Sequence, residues 1–167
     1  MRSCCTIGCV AALALPLLLL PSGAADPPAE APKIFCPVVG LPKCECDRCP
    51  SGYCPRKPHA TIALPFEGGS VQFCCGKCKE KFAKSPEKFV ASAHHQLVAT
   101  GQASQTKCPL CGGEPAKAHA VEVAGVTVHL CSAECRDKIA KATPAEQVEL
   151  LFGKAGFGRG FTVPNKK

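Results

Sequence analysis

The sequence has no tryptophan, one tyrosine and one methionine in 167 residues. So few large side chains exclude a sizeable core held by apolar packing alone. Small domains of this kind depend on disulfides or a bound metal. Aromatic platforms and arginine clusters are also missing, which argues against a nucleic-acid footprint. The net charge of +7 is spread through Lys/Glu-mixed stretches and a tail ending Asn165-Lys166-Lys167, as on a solvated surface. No segment after Leu20 is apolar enough to span a membrane. The histidines lack an accompanying Asp or Asn partner pattern, and glycine-rich phosphate motifs are absent, so the expectation is that the protein is not an enzyme.

Cysteine is what the chain has in quantity: 15 residues, alongside 16 Pro and 15 Gly. Three of the cysteines fall in a leader. Arg2, the apolar run Val10 to Leu20 and the small residues Ser22-Gly23-Ala24-Ala25 read as a signal peptide over 1–25, cleaved after Ala25. The expected location is therefore outside the cytoplasm, periplasmic or extracellular. Cleavage removes Cys4, Cys5, Cys9 and Arg2, leaving 12 cysteines and a net charge of +6. An even cysteine count in an exported chain also fits a disulfide framework, so a bridged protein without metal is the competing expectation.

Residues 26–33 are a Pro/Ala-rich linker, 34–98 a first module, 99–107 a polar linker, 108–152 a second module and 153–167 a flexible tail. The modules repeat with a constant offset of 57 residues. Cys54, Gly68, Val71, Cys74, Cys78, Lys81, Ala83 and Lys84 recur as Cys111, Gly125, Val128, Cys131, Cys135, Lys138, Ala140 and Lys141. Each copy reads as a β-hairpin entered through a Gly turn, a CxxxC pair opening a helix, and a second helix. Ser85-Pro86 and the capping box Thr143-Pro144-Ala145-Glu146 start the second helices. The fold class expected is small α+β, stapled by metal.

Two cysteines in the first turn of a helix put both sulfurs on one side, where free N–H groups favour thiolates. A Cys-x2-Cys knuckle supplies two more, and four thiolates at about 2.3 Å satisfy a tetrahedral ion. The second module has the whole set: Cys108, Cys111, Cys131 and Cys135. In the first, Cys74 and Cys78 match the helix pair, but the upstream ligands can be read in two registers. Either Cys49 and Cys54 form a widened knuckle, or Cys36-Pro37-Val38-Val39-Gly40 is the equivalent of Cys108-Pro109-Leu110-Cys111-Gly112. With Cys49 and Cys54 as the knuckle, Cys36, Cys44, Cys46 and Cys75 stay available for a second ion, for disulfides or as mobile thiols. Zinc suits the thiolate sets best, with copper(I) or another soft heavy metal as the alternative. Among the histidines, His59 and His129 are the nearest to these cysteines, and His94-His95 reads as structural.

The run Val71-Gln72-Phe73-Cys74-Cys75-Gly76-Lys77-Cys78-Lys79-Glu80-Lys81-Phe82, followed by Ser85-Pro86-Glu87-Lys88-Phe89, resembles the YHS/TRASH domain family. Cys36-Pro37-Val38-Val39-Gly40 is similar to that family's usual opening, and the second module resembles a more divergent TRASH copy. The resemblance implies two tandem treble-clef or zinc-ribbon-like modules and a role in heavy-metal binding, trafficking or sensing. Expected partners are metal ions and, through them, a metal transporter or another metalloprotein. A thiol-redox or electron-transfer protein is the third reading.

Overall fold

The computed structural model describes residues 34–39 and 58–164. The leader, the first linker and Cys44, Cys46, Cys49 and Cys54 lie outside the described residues.

Two hairpins set the plan. Strand β1 (His59–Phe66) pairs antiparallel with β2 (Gly69–Phe73), and the ladder is irregular between His59 and Ala63. Strand β4 (Ala120–Val123) pairs in the same way with β5 (Val126–His129). Both turns hold two residues with positive φ: Glu67 (46°) and Gly68 (87°), then Ala124 (55°) and Gly125 (79°). Left-handed backbone at both central positions is what a two-residue hairpin turn needs to match strand twist. The equivalent turns stand 57 residues apart, the spacing of the sequence repeat.

A helix follows each hairpin: α1 (Gly76–Lys84) and α3 (Ala133–Lys141). Ser132 caps α3, its side chain accepting from the Cys135 N–H. Phe82 on α1 and Ile139 on α3 point into the core, 3% and 1% exposed. After α1, a 3₁₀ turn over Pro86–Phe89 leads into α2 (Val90–Ala99). After α3, Thr143 caps α4 (Pro144–Phe152) through a complete capping box with Glu146.

The two halves meet along α2, α4 and α5 (Lys154–Gly160). His94, on α2, stacks on Phe157 at 3.7 Å and 6° between ring planes. Its Nδ1 lies 2.8 Å from the Phe152 carbonyl, and its Nε2 lies 3.3 Å from Glu67 Oε1. His95 meets Phe152 edge-on and is also buried. The histidine pair therefore sits mid-helix in the junction between halves, not at a helix end facing its dipole.

The end of the chain corrects the sequence expectation. Residues expected to be a flexible tail form α5 and strand β6 (Phe161–Thr162), with Phe157, Phe161 and Val163 buried. The expected linker 99–107 contributes strand β3 (Ser104–Gln105), which pairs with β6. Glycine makes this close packing possible. A Cβ on Gly156 would stand 2.3 Å from the Leu150 carbonyl, and one on Gly160 would stand 2.8 Å from Pro109 Cα.

Candidate metal centre

The sulfurs gather in two places. Cys108, Cys111, Cys131 and Cys135 form one group and Cys36, Cys74 and Cys78 another, with all donor atoms of each group within 4.8 Å of one another. Four sulfurs each about 2.3 Å from one ion stand about 3.8 Å apart. The second-half group comes close to that spacing, with 3.6 Å for Cys131–Cys135, 3.9 Å for Cys135–Cys111 and a shorter 3.0 Å for Cys111–Cys131. In the first half Cys74 and Cys78 are 3.6 Å apart. Both groups can therefore hold a metal ion. None of the eight described cysteines is in a disulfide.

The second-half cage is built from three pieces of chain. The knuckle Cys108–Cys111 is closed by the Gly112 N–H on the Cys108 carbonyl (2.8 Å) and the Cys108 N–H on the Gly113 carbonyl (2.8 Å). Cys131 follows β5, and Cys135 lies in the first turn of α3. Gly113 faces the cage: a Cβ there would come within 3.2 Å of Cys131 Cβ and 3.5 Å of Cys111 Sγ. The end of the chain braces the knuckle from behind. Arg159 donates through Nη1 to the carbonyls of Pro109 (2.8 Å) and Leu110 (2.6 Å). The Gly160 carbonyl accepts from the N–H groups of Thr106 (2.8 Å) and Lys107 (3.1 Å).

Crowded sulfurs share protons unequally. At Cys108, burial opposes ionisation but is outweighed by the backbone N–H groups of Cys111, Cys131 and Leu110, which bring the thiol down to about 7. Cys131 is pushed up to about 12, chiefly by its hydrogen bond with Cys111, and burial pushes Cys135 up. One thiolate beside protonated neighbours is a site whose remaining protons a cation displaces.

The first-half group resolves where Cys36 goes. Cys36 stands with Cys74 and Cys78, and its segment turns back through the Val39 N–H on the Cys36 carbonyl (3.1 Å). Cys36 is thus the counterpart of Cys108, with Val39 three residues on where the second half has Cys111. Cys49 and Cys54 lie outside the described residues, so the structure shows no position for them. Cys75 is half-buried beside the group and not part of it. Burial raises the Cys75 thiol, but the N–H groups of Cys78 and Lys77 and the neighbouring cysteine side chains bring it below its ordinary value. Cys78 shifts the other way, held up by burial and by the neighbouring Cys36.

Two glutamines set these cages, and neither stood out in the sequence. Gln96, buried on α2, accepts from the Gln72 N–H (2.6 Å) and donates to the carbonyls of Gln72 (2.9 Å) and Phe35 (2.7 Å). It ties the strand leading to Cys74 to the segment carrying Cys36. Gln105 does the same in the second half. It accepts from the His129 N–H (2.9 Å) and donates to the carbonyls of His129 and Lys107, the residues two before Cys131 and one before Cys108. The strand residues clamped, Gln72 and His129, are 57 apart, whereas the clamping residues come from unrelated positions, α2 and β3.

Among the described residues, His94, His95, His119 and His129 stand outside both groups. The backbone of His129 is clamped by Gln105, and its side chain belongs to neither sulfur group. His94 and His95 serve the junction instead. Burial holds the His95 imidazole below its ordinary value, against an opposing pull from the backbone of Val123 and Ala124. No helix among the described residues is long and apolar enough to cross a membrane. Comparison of the chain with protein-family models, with curated proteins and with solved structures finds no match.

Proposed function

We propose that this is an exported metal-binding protein, not an enzyme, whose cysteine thiolates hold zinc or copper(I) for sequestration, trafficking or resistance. The observation that carries the reading is the convergence of separate chain segments on two sulfur groups, each with donors within 4.8 Å. Buried or crowded thiols with no common cation are costly to ionise, and a shared ion offsets that cost. The YHS/TRASH resemblance, with tandem treble-clef-like modules, points the same way and rests on motif spacing alone. A metal transporter or another metalloprotein is the partner class that fits such a carrier.

One observation favours a second reading. The 3.0 Å gap between Cys111 and Cys131 puts two sulfurs in reach of oxidation to a bridge, and an exporting compartment supplies oxidant. Elemental analysis of protein purified from the export compartment, with a thiol count, decides between them. Bound metal that is lost in Cys111→Ser and Cys36→Ser supports the carrier. Metal-free protein with its cysteines bridged refutes it.

A further inference from the structure

Among the described residues, the two sulfur groups occupy equivalent places and differ by one donor. In the second half the knuckle runs Cys108-Pro109-Leu110-Cys111, and both cysteines join the cage. In the first half the matching run is Cys36-Pro37-Val38-Val39, and from that run only Cys36 joins Cys74 and Cys78 among the described residues. The matching glutamine clamps fix the equivalence, since Gln96 holds the Phe35 carbonyl as Gln105 holds that of Lys107. The position that supplies the fourth sulfur in one half is therefore an isopropyl group in the other.

Burial sharpens the difference. Cys36, Cys74 and Cys78 are 4%, 3% and 1% exposed, whereas Cys111 is exposed and Cys131 and Cys135 are half-buried. Zinc with three protein ligands completes its tetrahedron with water. A cage this buried disfavours a bound water. Soft monovalent d¹⁰ ions are well served by few thiolates and need no water. Charge agrees: three thiolates with a monovalent ion leave the same net charge as four with a divalent one.

Resting on the carrier reading above, we propose that the two cages divide the metals. The Cys36/Cys74/Cys78 cage takes a soft monovalent ion, copper(I) or silver(I), in three-sulfur coordination. The Cys108/Cys111/Cys131/Cys135 cage takes zinc, and Val39 is the residue that sets the difference. Cys36 also lines the crevice between α2 and α4, with Phe35, His95, Val148 and Glu149.

The test uses the full reduced chain, with cobalt(II) as the probe for four-sulfur sites and copper(I) in competition with a chromophoric chelator. Wild type should give one equivalent of tetrathiolate cobalt(II), abolished by Cys111→Ser and kept by Cys36→Ser. Chelator-resistant copper(I) should show the reverse pattern. Val39→Cys should add a second tetrathiolate cobalt(II) equivalent, a gain that misfolding cannot mimic. A variant with Cys44, Cys46, Cys49 and Cys54 all changed to Ser should still retain copper(I), as should Cys75→Ser. Two tetrathiolate equivalents in wild type, falling to one in either of those variants, would show a fourth sulfur from elsewhere and overturn the proposal. No change with Val39→Cys would also overturn it. If neither probe binds any variant, it is the carrier function itself that fails.

Discussion

Gln96 donates from Nε2 to the Phe35 carbonyl at 2.7 Å while its Oε1 takes the Gln72 N–H at 2.6 Å. One buried side chain thus joins the two chain segments that deliver Cys36 and Cys74. Replacing it with Ala leaves buried backbone groups unpaired, at about 1–3 kcal/mol of stability. Because Cys36 is then positioned less well, metal affinity of the first cage should fall roughly 10–100-fold. Gln96→Glu is the sharper variant: it keeps the acceptor for Gln72 and loses both donors. Metal competition titrations alongside thermal melts check both, and unchanged affinity would show that Cys36 is held by other means.

The chain end is expected to matter to the second cage. Arg159→Met removes both donors to the knuckle carbonyls, and Gly160→Ala drives a Cβ toward Pro109. The alanine should cost about 1–3 kcal/mol as an overpacked contact. Both variants should speed loss of metal from the Cys108 cage to a chelator and leave the Cys36 cage at its wild-type rate. Equal effects on the two cages would refute a local brace.

Metal uptake by the second cage should release protons. Cys108, at about 7, is partly ionised at neutral pH, while the raised Cys131 and Cys135 carry protons that an ion must displace. Affinity should therefore climb as pH rises, with about two protons or more released per ion near neutrality. Calorimetry in buffers of different ionisation enthalpy measures that number, and a value near zero would contradict the thiolate cage.

His95 should make the fold acid-sensitive. Burial holds it below its ordinary value of 6.5, so the unfolded chain binds a proton in a range where the folded chain does not. Stability should therefore fall as pH drops below about 6.5, until the folded-state value is reached. His95→Gln should flatten that part of the profile in denaturant melts. A profile that His95→Gln leaves unaltered would place the acid sensitivity elsewhere.

Thr143→Ala removes the capping hydroxyl at the start of α4 and should cost about 1 kcal/mol. The Thr143 N–H and hydroxyl hold the Glu146 carboxyl below its ordinary 4.5, so its contribution is complete above that value and is lost on acidification. Urea melts at neutral and acidic pH should show the gap between wild type and Thr143→Ala narrowing in acid.

How much of this was legible depended on what repeats. Turns at Gly68 and Gly125 and helices opening at Cys74/Cys78 and Cys131/Cys135 follow from local chemistry that recurs at a fixed offset, and the capping box at Thr143 follows from its own local sequence. Gln96 and Gln105 were not legible, because each half recruits its clamp from a different place and a helical glutamine looks like surface. The last segment misled for a related reason. Lys154-Ala155-Gly156-Phe157-Gly158-Arg159-Gly160 has poor helix propensity, yet Gly156 and Gly160 sit where backbone approaches too closely for any side chain. Packing chose the helix. The place of Cys36 needed the third dimension: the chain's path brings it to Cys74 and Cys78, whereas Cys54, the other candidate by spacing, lies outside the described residues.

The pairing of Ser104–Gln105 with Phe161–Thr162 has a consequence for synthesis. A ribosome delivers the knuckle cysteines about fifty residues before the arginine and the strand that lock them. Until Arg159 and that strand emerge, a nascent chain lacks the contacts that brace the Cys108–Cys111 loop. The second sulfur group therefore takes its braced form only once residues 159–162 have joined the fold.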